Sequence, residues 1–378
     1  MLFPTIDFAI FFAIVFLGHW LLQPQPRRWK LFMIAASYVF YAWWDWRFVF
    51  LLGGSTILAQ AGALLVSRQS DGVTRRWVLG GSIAAVLAPL LWFKYYGFLA
   101  LNLDNALGSL GLGSPAPLLQ VVLPIGISFF TFMEISYLVD VHRREIEPAS
   151  WLDFAVYVSF FPHLVAGPIV RGRELLPQIR ARRDPRRIDY SRAAYLIFGG
   201  LFKKVVISSF VASAIVDPVF GSPGSHTSLE ILFAIYGYAI QIYADFSGYT
   251  DIAIGVAMLL GFRFPENFNA PYTARSLQDF WRRWHMTLSR WLRDYLYIPL
   301  GGSWGSDVQT YRNILVTMIL GGLWHGAAWT FVAWGALHGI GQAVGYARRR
   351  RRLDADLAPV SDERNDRIRQ RVATFHLV

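Results

Sequence analysis

A series of long, nearly uncharged apolar runs constrains this chain more than any other feature. The first covers residues 2–22, and others follow near 31–44, 48–66, 77–93, 121–141, 151–170, 190–220, 229–260 and 312–346. A helix of ~20 apolar residues crosses a bilayer, and backbone polar groups in hydrocarbon must bond within the chain. The sequence therefore predicts an all-α, polytopic membrane bundle of about 9–11 membrane segments.

The composition excludes several other classes of protein. Hydrophobic residues make up 54% of the chain and charged residues 16%, whereas a soluble domain is about 25% charged. This excludes a secreted globular enzyme, a nucleic-acid-binding domain and a disordered scaffold. With no cysteine, disulfides, thiolate metal sites and a cysteine nucleophile are excluded too. The net charge of +11 comes from basic residues between the apolar runs, where they set membrane orientation.

Basic residues at the ends of the runs predict the orientation. The following basic residues are expected in the cytoplasm, with the N-terminus outside: Arg27, Arg28, Lys30, Arg68, Arg75, Arg76, Arg143 and Arg144. The run 151–170 conflicts with a simple crossing, because basic residues flank both of its ends. It also contains Pro162, His163 and Pro168, which suit a straight lipid-facing helix poorly. We predict a re-entrant or tilted element that enters the membrane and returns, with both ends in the cytoplasm.

The run 312–346 is too long for one simple crossing and contains His325, between Trp324 and Gly326. The long runs 229–260 and 312–346 are each predicted to be a tilted long helix or a broken pair. A polar residue within a span is costly and suggests a function. His325 can be a general base for a hydroxyl attacking an activated acyl group, or a structural histidine bonded to a carbonyl. The residues alone leave both open.

The stretch 280–295 combines aromatic and basic residues around His285. On one helix, Trp281, Trp284, Leu288, Trp291 and Tyr295 form an aromatic stripe. The arginines lie largely elsewhere on that helix: Arg282, Arg283, Arg290 and Arg293. This predicts an amphipathic helix on the cytoplasmic leaflet, compatible with docking of an anionic donor or an acidic carrier protein on the arginines.

Two aspartates interrupt the run 229–260. Asp245 and Asp251 can bind substrate hydroxyls, orient a histidine or carry a proton, or they can simply pair with cations inside the bundle. Lys203 and Lys204 are expected to mark a membrane interface by snorkelling. His338 would lie nearly opposite His325 on an unbroken helix, so no metal site is predicted. Metalloprotease, P-loop and serine-hydrolase motifs are absent from the sequence.

Eight stretches make the chain resemble the membrane-bound O-acyltransferase family. They are residues 38–44, 123–130, 160–169, 245–249, 267–272, 280–285 (FWRRWH), 295–302 and 322–326 (GLWHG). The resemblance implies a helical bundle with a tunnel and transfer of an acyl group to a hydroxyl. It implies that His325 is the catalytic base or a transient acyl acceptor, and that His285 assists. Tunnel-lining or substrate roles are expected for Asp245, Trp324, Trp284 and His163.

The resemblance also implies the setting. No bound cofactor is expected; the donor would be acetyl-CoA or an acyl-carrier thioester. A periplasmic acetyltransferase partner would pass the group to an exported polysaccharide such as alginate, at a bacterial inner membrane. The acyltransferase domain is assigned to residues 1–346 and a basic tail to 347–378. Because the end resembles the start of another span and relatives are longer, a truncated chain is expected. The alternative is an acyl or proton-coupled conduit or scaffold without chemistry of its own, depending on Asp245 or Asp251.

Overall fold

The computed structural model describes residues 1–111, 119, 121–355 and 364–378. In that part of the chain the secondary structure is helical, without β-strands, which confirms the predicted all-α class. The chain forms two compact units. Unit 1 comprises Met1–Ser82 and Phe132–Glu266, and unit 2 comprises Ile83–Thr131 and Asn267–Val378.

The helices of the N-terminal half are mostly long and apolar. They are α1 (Ile6–Leu22), α2 (Pro26–Ala42), α3 (Phe48–Arg68), α4 (Val73–Leu90), a π-helical turn (Leu91–Tyr95), α5 (Tyr96–Ser109), α6 (Ile127–His142), α7 (Trp151–Ser159), α8 (Phe161–Leu164) and α9 (Gly172–Arg180). α4 and α6 contribute residues to both units. The core of unit 1 includes contacting rings of Phe8, Phe11, Phe40 and Phe161.

The run 151–170 is not one straight helix. α7 has nine residues and is therefore about 14 Å long, less than half the ~30 Å hydrocarbon core. α8 follows with four residues that are all buried, and residues 165–171 are not helical. The predicted interruption is confirmed, and the cytoplasmic location of both ends stays a prediction.

The run 190–220 forms an irregular helix that packs on a long straight one. Its parts are α10 (Tyr190–Leu201), a π-helical segment (Phe202–Ser208), α11 (Ser209–Val211), a second π-helical segment (Ala212–Val216) and α12 (Asp217–Gly221). The partner is α13 (Ser228–Leu259), whose 32 residues follow a capping box between Thr227 and Glu230. A Cβ on Gly248 would lie 2.7 Å from the carbonyl oxygen of Gly200, so glycine lets α10 and α13 approach backbone to backbone.

The C-terminal half contains shorter helices followed by a broken pair. They are α14 (Leu277–Trp281), α15 (Met286–Leu292), a π-helical turn (Arg293–Tyr297), α16 (Asp307–His325), α17 (Trp329–Asp354) and α18 (Arg364–Leu377). Of the two long runs, 229–260 is therefore one helix and 312–346 is a broken pair. The prediction of a single amphipathic helix over 280–295 is wrong. The chain leaves helical geometry between Trp281 and Met286, where His285 has a left-handed backbone.

In the part of the chain that the structure describes, four helical stretches are long and apolar enough to cross a membrane. They are Phe48–Arg68, Val73–Ser109, Tyr190–Gly221 and Ser228–Leu259. α1 is apolar but shorter, with 17 residues. Together with the helical fold, these stretches identify a membrane protein. The predicted number of about 9–11 membrane segments and the side on which each loop lies stay predictions.

Candidate active site

His325 is the last residue of α16 and adjoins a break between two closely packed helices. Gly326 has an extended backbone with φ of −162°, and α17 begins three residues later. A Cβ on Gly322 would lie 2.3 Å from the carbonyl oxygen of Phe331, and one on Gly335 would lie 2.5 Å from that of Met318. Glycine at these positions therefore allows α16 and α17 to pack with backbones in contact on both sides of the break.

Aromatic rings surround the imidazole of His325. The ring centroids of Trp324 and Trp334 lie 5.0 Å and 5.3 Å from it, both edge-on, and that of Phe331 lies at 6.5 Å. The residue is nevertheless exposed. A substrate can therefore reach His325 while its neighbours supply apolar walls, as a general base for acyl transfer requires.

The hydrogen bonds around His285 determine which of its nitrogens is basic. His285 is fully buried, and Nδ1 lies 3.2 Å from Oδ1 of Asn267. The backbone N–H of Thr287 donates to the same oxygen at 3.1 Å, and the Thr287 hydroxyl at 2.9 Å. Because a backbone N–H only donates, that atom of Asn267 is an acceptor and His285 Nδ1 carries the proton. The lone pair of neutral His285 is therefore on Nε2.

Trp324 contacts both histidines that the sequence singles out. Its ring centroid lies 5.9 Å from that of His285 and 5.0 Å from that of His325. The indole is 8% exposed, so packing on both sides restricts its position. Unit 2 thus brings His285, Trp324 and His325 together. Asn267 belongs to this group, although sequence reasoning assigned it no role; its place in a matched stretch is the only signal in the sequence.

Trp284 and His338 both have aromatic neighbours. Trp284 packs against Phe268 and Phe280 at 5.1 Å and 5.6 Å between ring centroids, and its predicted tunnel-lining role stays a prediction. His338 is close to the site because the helix breaks. Its Nδ1 accepts a hydrogen bond from the indole N–H of Trp281 at 3.3 Å. Its ring also contacts Trp334, which contacts His325. Among the described residues, no histidine or carboxylate cluster could hold a metal ion.

A cavity of about 430 Å³ lies beside the broken stretch 277–297. Four arginines line it: Arg282, Arg290, Arg293 and Arg349. Apolar side chains also line it, including Trp281, Leu292, Ile314 and Met318. Positive charge combined with apolar walls suits a ligand that has an anionic group and a hydrocarbon portion.

Arg283, predicted to act with these arginines, does not line the cavity. Its Nε donates to Oδ1 of Asp279 at 2.8 Å. Burial alone would raise the pKa of Asp279, but the hydrogen bonds from Arg283 and from the backbone N–H of Arg275 hold this pKa below its usual value. Arg283 therefore has a local structural partner, and three of the four predicted docking arginines share the cavity.

The remaining predicted residues belong to unit 1. Asp245 accepts a hydrogen bond from Nζ of Lys204 at 2.6 Å, and Asp251 pairs with Lys203. These ion pairs join α13 to the π-helical part of the preceding helix, so the lysines do more than snorkel. His163 is buried, bonds to the carbonyl oxygen of Tyr157 at 3.0 Å and stacks on Phe264. These contacts place His163 in the core of unit 1, and its predicted tunnel-lining role stays a prediction.

Comparison with known families agrees with the motifs. Residues 74–353 match the model of the membrane-bound O-acyltransferase family, which is more than half of the chain. The chain belongs to the membrane-bound O-acyltransferase family. The predicted family, and with it membership of a class of acyl-transferring membrane enzymes, is confirmed. The matched residues include both histidines, Asn267 and the arginine-lined cavity.

Named bacterial proteins are similar to this chain over much of its length. The probable alginate O-acetylase AlgI of Pseudomonas aeruginosa is 43% identical, over 91% of this chain and 66% of its own length. The peptidoglycan O-acetyltransferase of Helicobacter pylori is 38% identical, over 90% of this chain and 69% of its own length. The teichoic acid D-alanyltransferase of Streptococcus thermophilus is 28% identical, over 61% of this chain and 59% of its own length. The chain thus spans about two thirds of the length of the first two relatives.

Proposed function

We propose that this chain is an O-acetyltransferase of a bacterial inner membrane that serves the acetylation of an exported polysaccharide such as alginate. The observation that carries the proposal is the exposed His325 at the helix break, linked through Trp324 to His285. Two relatives, named for O-acetylation of alginate and of peptidoglycan, support the acetyl group and a glycan acceptor. A periplasmic acetyltransferase partner completes the transfer, and the chain crosses the membrane several times.

The proposed donor is an acetyl thioester, either acetyl-CoA or an acetylated carrier protein. Both carry a phosphate-bearing pantetheine arm, and both match the chemistry of the arginine-lined cavity. Arg282, Arg290 and Arg349 offer charge for phosphate, and Trp281 and Met318 offer apolar surface for the arm. Arg282 and Arg293 of the cavity lining are also exposed, so they offer positive charge to the surface of an acidic carrier protein.

The proposed reaction requires one base and a leaving thiol. His325 takes the proton from an acceptor hydroxyl as the hydroxyl oxygen attacks the thioester carbonyl carbon. The C–O bond of the product ester forms, the C–S bond breaks, and the leaving thiolate receives the proton from the imidazolium. His285, with its lone pair on Nε2, assists on the donor side.

The test compares the O-acetyl content of the exported polysaccharide in cells that carry the parent chain, His325→Ala or His226→Ala at matched membrane levels. His226 lies beside Glu230 in unit 1 and controls for loss of a histidine. Loss of acetylation only in His325→Ala supports the proposal. Equal acetylation in all three strains would refute the catalytic role of His325 and favour the conduit or scaffold.

A further inference from the structure

α5 and the π-helical turn before it hold both sides of the helix break that adjoins His325. The hydroxyl of Tyr95 donates to the carbonyl oxygen of Leu323 at 2.8 Å, and Nζ of Lys94 donates to that of Trp324. Beyond the break, the indole N–H of Trp329 donates to Oδ1 of Asn102 at 2.8 Å. One helical stretch therefore bonds to the last turn of α16 and to the first residue of α17.

The two carbonyl groups need partners because the helix ends there. The last four C=O groups of an α-helix have no partner within the helix. Since Gly326 is extended, the chain cannot supply the next N–H groups; that of Ala328 bonds to Gly326 itself at 3.0 Å. A cation at this position also interacts favourably with the negative end of the helix dipole. Lys94 and Tyr95 thus take the place of the missing helical turn.

Lys94 is an unusual residue for its location. It lies within Val73–Ser109, a stretch long and apolar enough to cross a membrane. Its ammonium also contacts the hydroxyl of Ser128 at 3.3 Å and lies 5.6 Å from the centre of the Trp324 ring. No carboxylate pairs with it in the described part of the chain. A charge in a span is costly and often functional, and the π-helical turn Leu91–Tyr95 is a geometry frequent at functional sites.

We propose that Lys94 is a positioning residue for acyl transfer. By bonding to the carbonyl group of Trp324, it holds the end of α16 and keeps both Trp324 and His325 in their reacting geometry. Tyr95 and Asn102 support the same arrangement from either side of the break. The inference rests on the proposed function of His325, while the geometry of the break can be tested without it.

The kinetic test uses the full chain in membranes with acetyl-CoA as the donor probe. Lys94→Met keeps an unbranched side chain, one atom shorter, but removes its charge and its donors, and Lys94→Arg retains both. We expect Lys94→Met to lower kcat at least about tenfold with donor KM within about twofold, since small misplacements of a reacting group cost up to about a hundredfold. Lys94→Arg should recover most of this loss. Tyr95→Phe, which removes one hydrogen bond, should fall between the parent and Lys94→Met.

A second readout follows the break itself. The chain has no cysteine, so Ala327→Cys provides one label site, and its rate of reaction with N-ethylmaleimide reports opening of the break. Lys94→Met should raise this rate, and Lys94→Arg should restore it. Parental kcat and labelling in Lys94→Met would overturn the proposal. Equal losses in the Met and Arg variants with a lowered Tm would also overturn it, because charge and donors would then be irrelevant. If Lys94→Met alters the labelling rate while His325→Ala leaves acetylation unchanged, the proposed function of His325 is refuted. The role of Lys94 in holding the break is then still supported.

Discussion

Oδ1 of Asn267 accepts the Nδ1 proton of His285 at 3.2 Å, and the same oxygen accepts two hydrogen bonds from Thr287. Asn267→Leu removes the acceptor for all three donors. A buried donor without a partner costs about 1–3 kcal/mol, so we expect a clear fall in Tm and loss of most acetyl transfer. The measurement is thermal unfolding of the purified protein together with kcat.

Thr287→Val is the matched control for Asn267→Leu. It removes one hydroxyl but leaves the backbone hydrogen bond and the His285 hydrogen bond in place. We expect a loss of about 1 kcal/mol in stability with kcat close to that of the parent. If Asn267→Leu retained parental Tm and kcat, the assignment of the His285 proton to Nδ1 would have no functional consequence.

Donor affinity should depend on the arginines that line the cavity and not on arginine in general. Arg290→Gln removes a cavity charge, and loss of a charge-assisted bond of about 1.5–3 kcal/mol raises KM for acetyl-CoA roughly 10- to 100-fold. Arg283→Gln makes the same chemical change outside the cavity lining, where Asp279 is the partner. Its KM should remain close to the parental value. Equal effects of both variants would argue against phosphate binding in the cavity.

The close packing of α16 and α17 predicts a contrast between two glycines of α17. A Cβ on Gly335 would lie 2.5 Å from the carbonyl oxygen of Met318, whereas one on Gly345 meets no atom within 4 Å. Gly335→Ala should force the helices apart and destabilise the protein by about 1–3 kcal/mol. Gly345→Ala should be neutral or stabilising by about 0.5–1 kcal/mol. Thermal unfolding measures both, and similar Tm values for the two variants would contradict the packing.

Variants of the ion pair between Asp245 and Lys204 can distinguish a structural role of Asp245 from a proton-carrying role. Asp245→Asn leaves the Lys204 charge without its partner and should reduce activity without preventing membrane insertion. The double variant Asp245→Asn with Lys204→Gln removes both charges and should recover activity if the pair is structural. Recovery would weaken the conduit alternative. Loss in both variants, with normal insertion, would instead indicate that the carboxylate itself has a role.

The family, the helical fold and the two histidines were predictable because they depend on local sequence. Apolar runs define helices, and the FWRRWH and GLWHG stretches mark His285 and His325. The single helix over 280–295 was wrong because side-chain periodicity does not reveal a break at a non-glycine residue. His285 has φ of 41°, a conformation uncommon for residues with a side chain, and Asn267, 18 residues earlier, secures it.

Contacts between residues distant in sequence were the unpredictable part. Lys94 lies 230 positions before Trp324, and nothing in its own stretch indicates a helix end as its partner. His338 lies near the site because the helix breaks after His325, so the two histidines are on different helices. The sequence argument had treated both as part of one helix. The pairing of Lys203 and Lys204 with aspartates of α13 also requires the packing of two helices. In each case a tertiary contact, rather than a propensity, determines the role.

The left-handed backbone of His285 has an evolutionary consequence. Glycine adopts this conformation without steric cost, whereas other residues incur about 1–3 kcal/mol. The buried contacts of the imidazole with Asn267 and Trp324 must offset this backbone cost. Glycine at 285 would relax the backbone but leave a cavity in place of a fully buried side chain. The histidine present therefore records selection for the side chain against the backbone preference of the position.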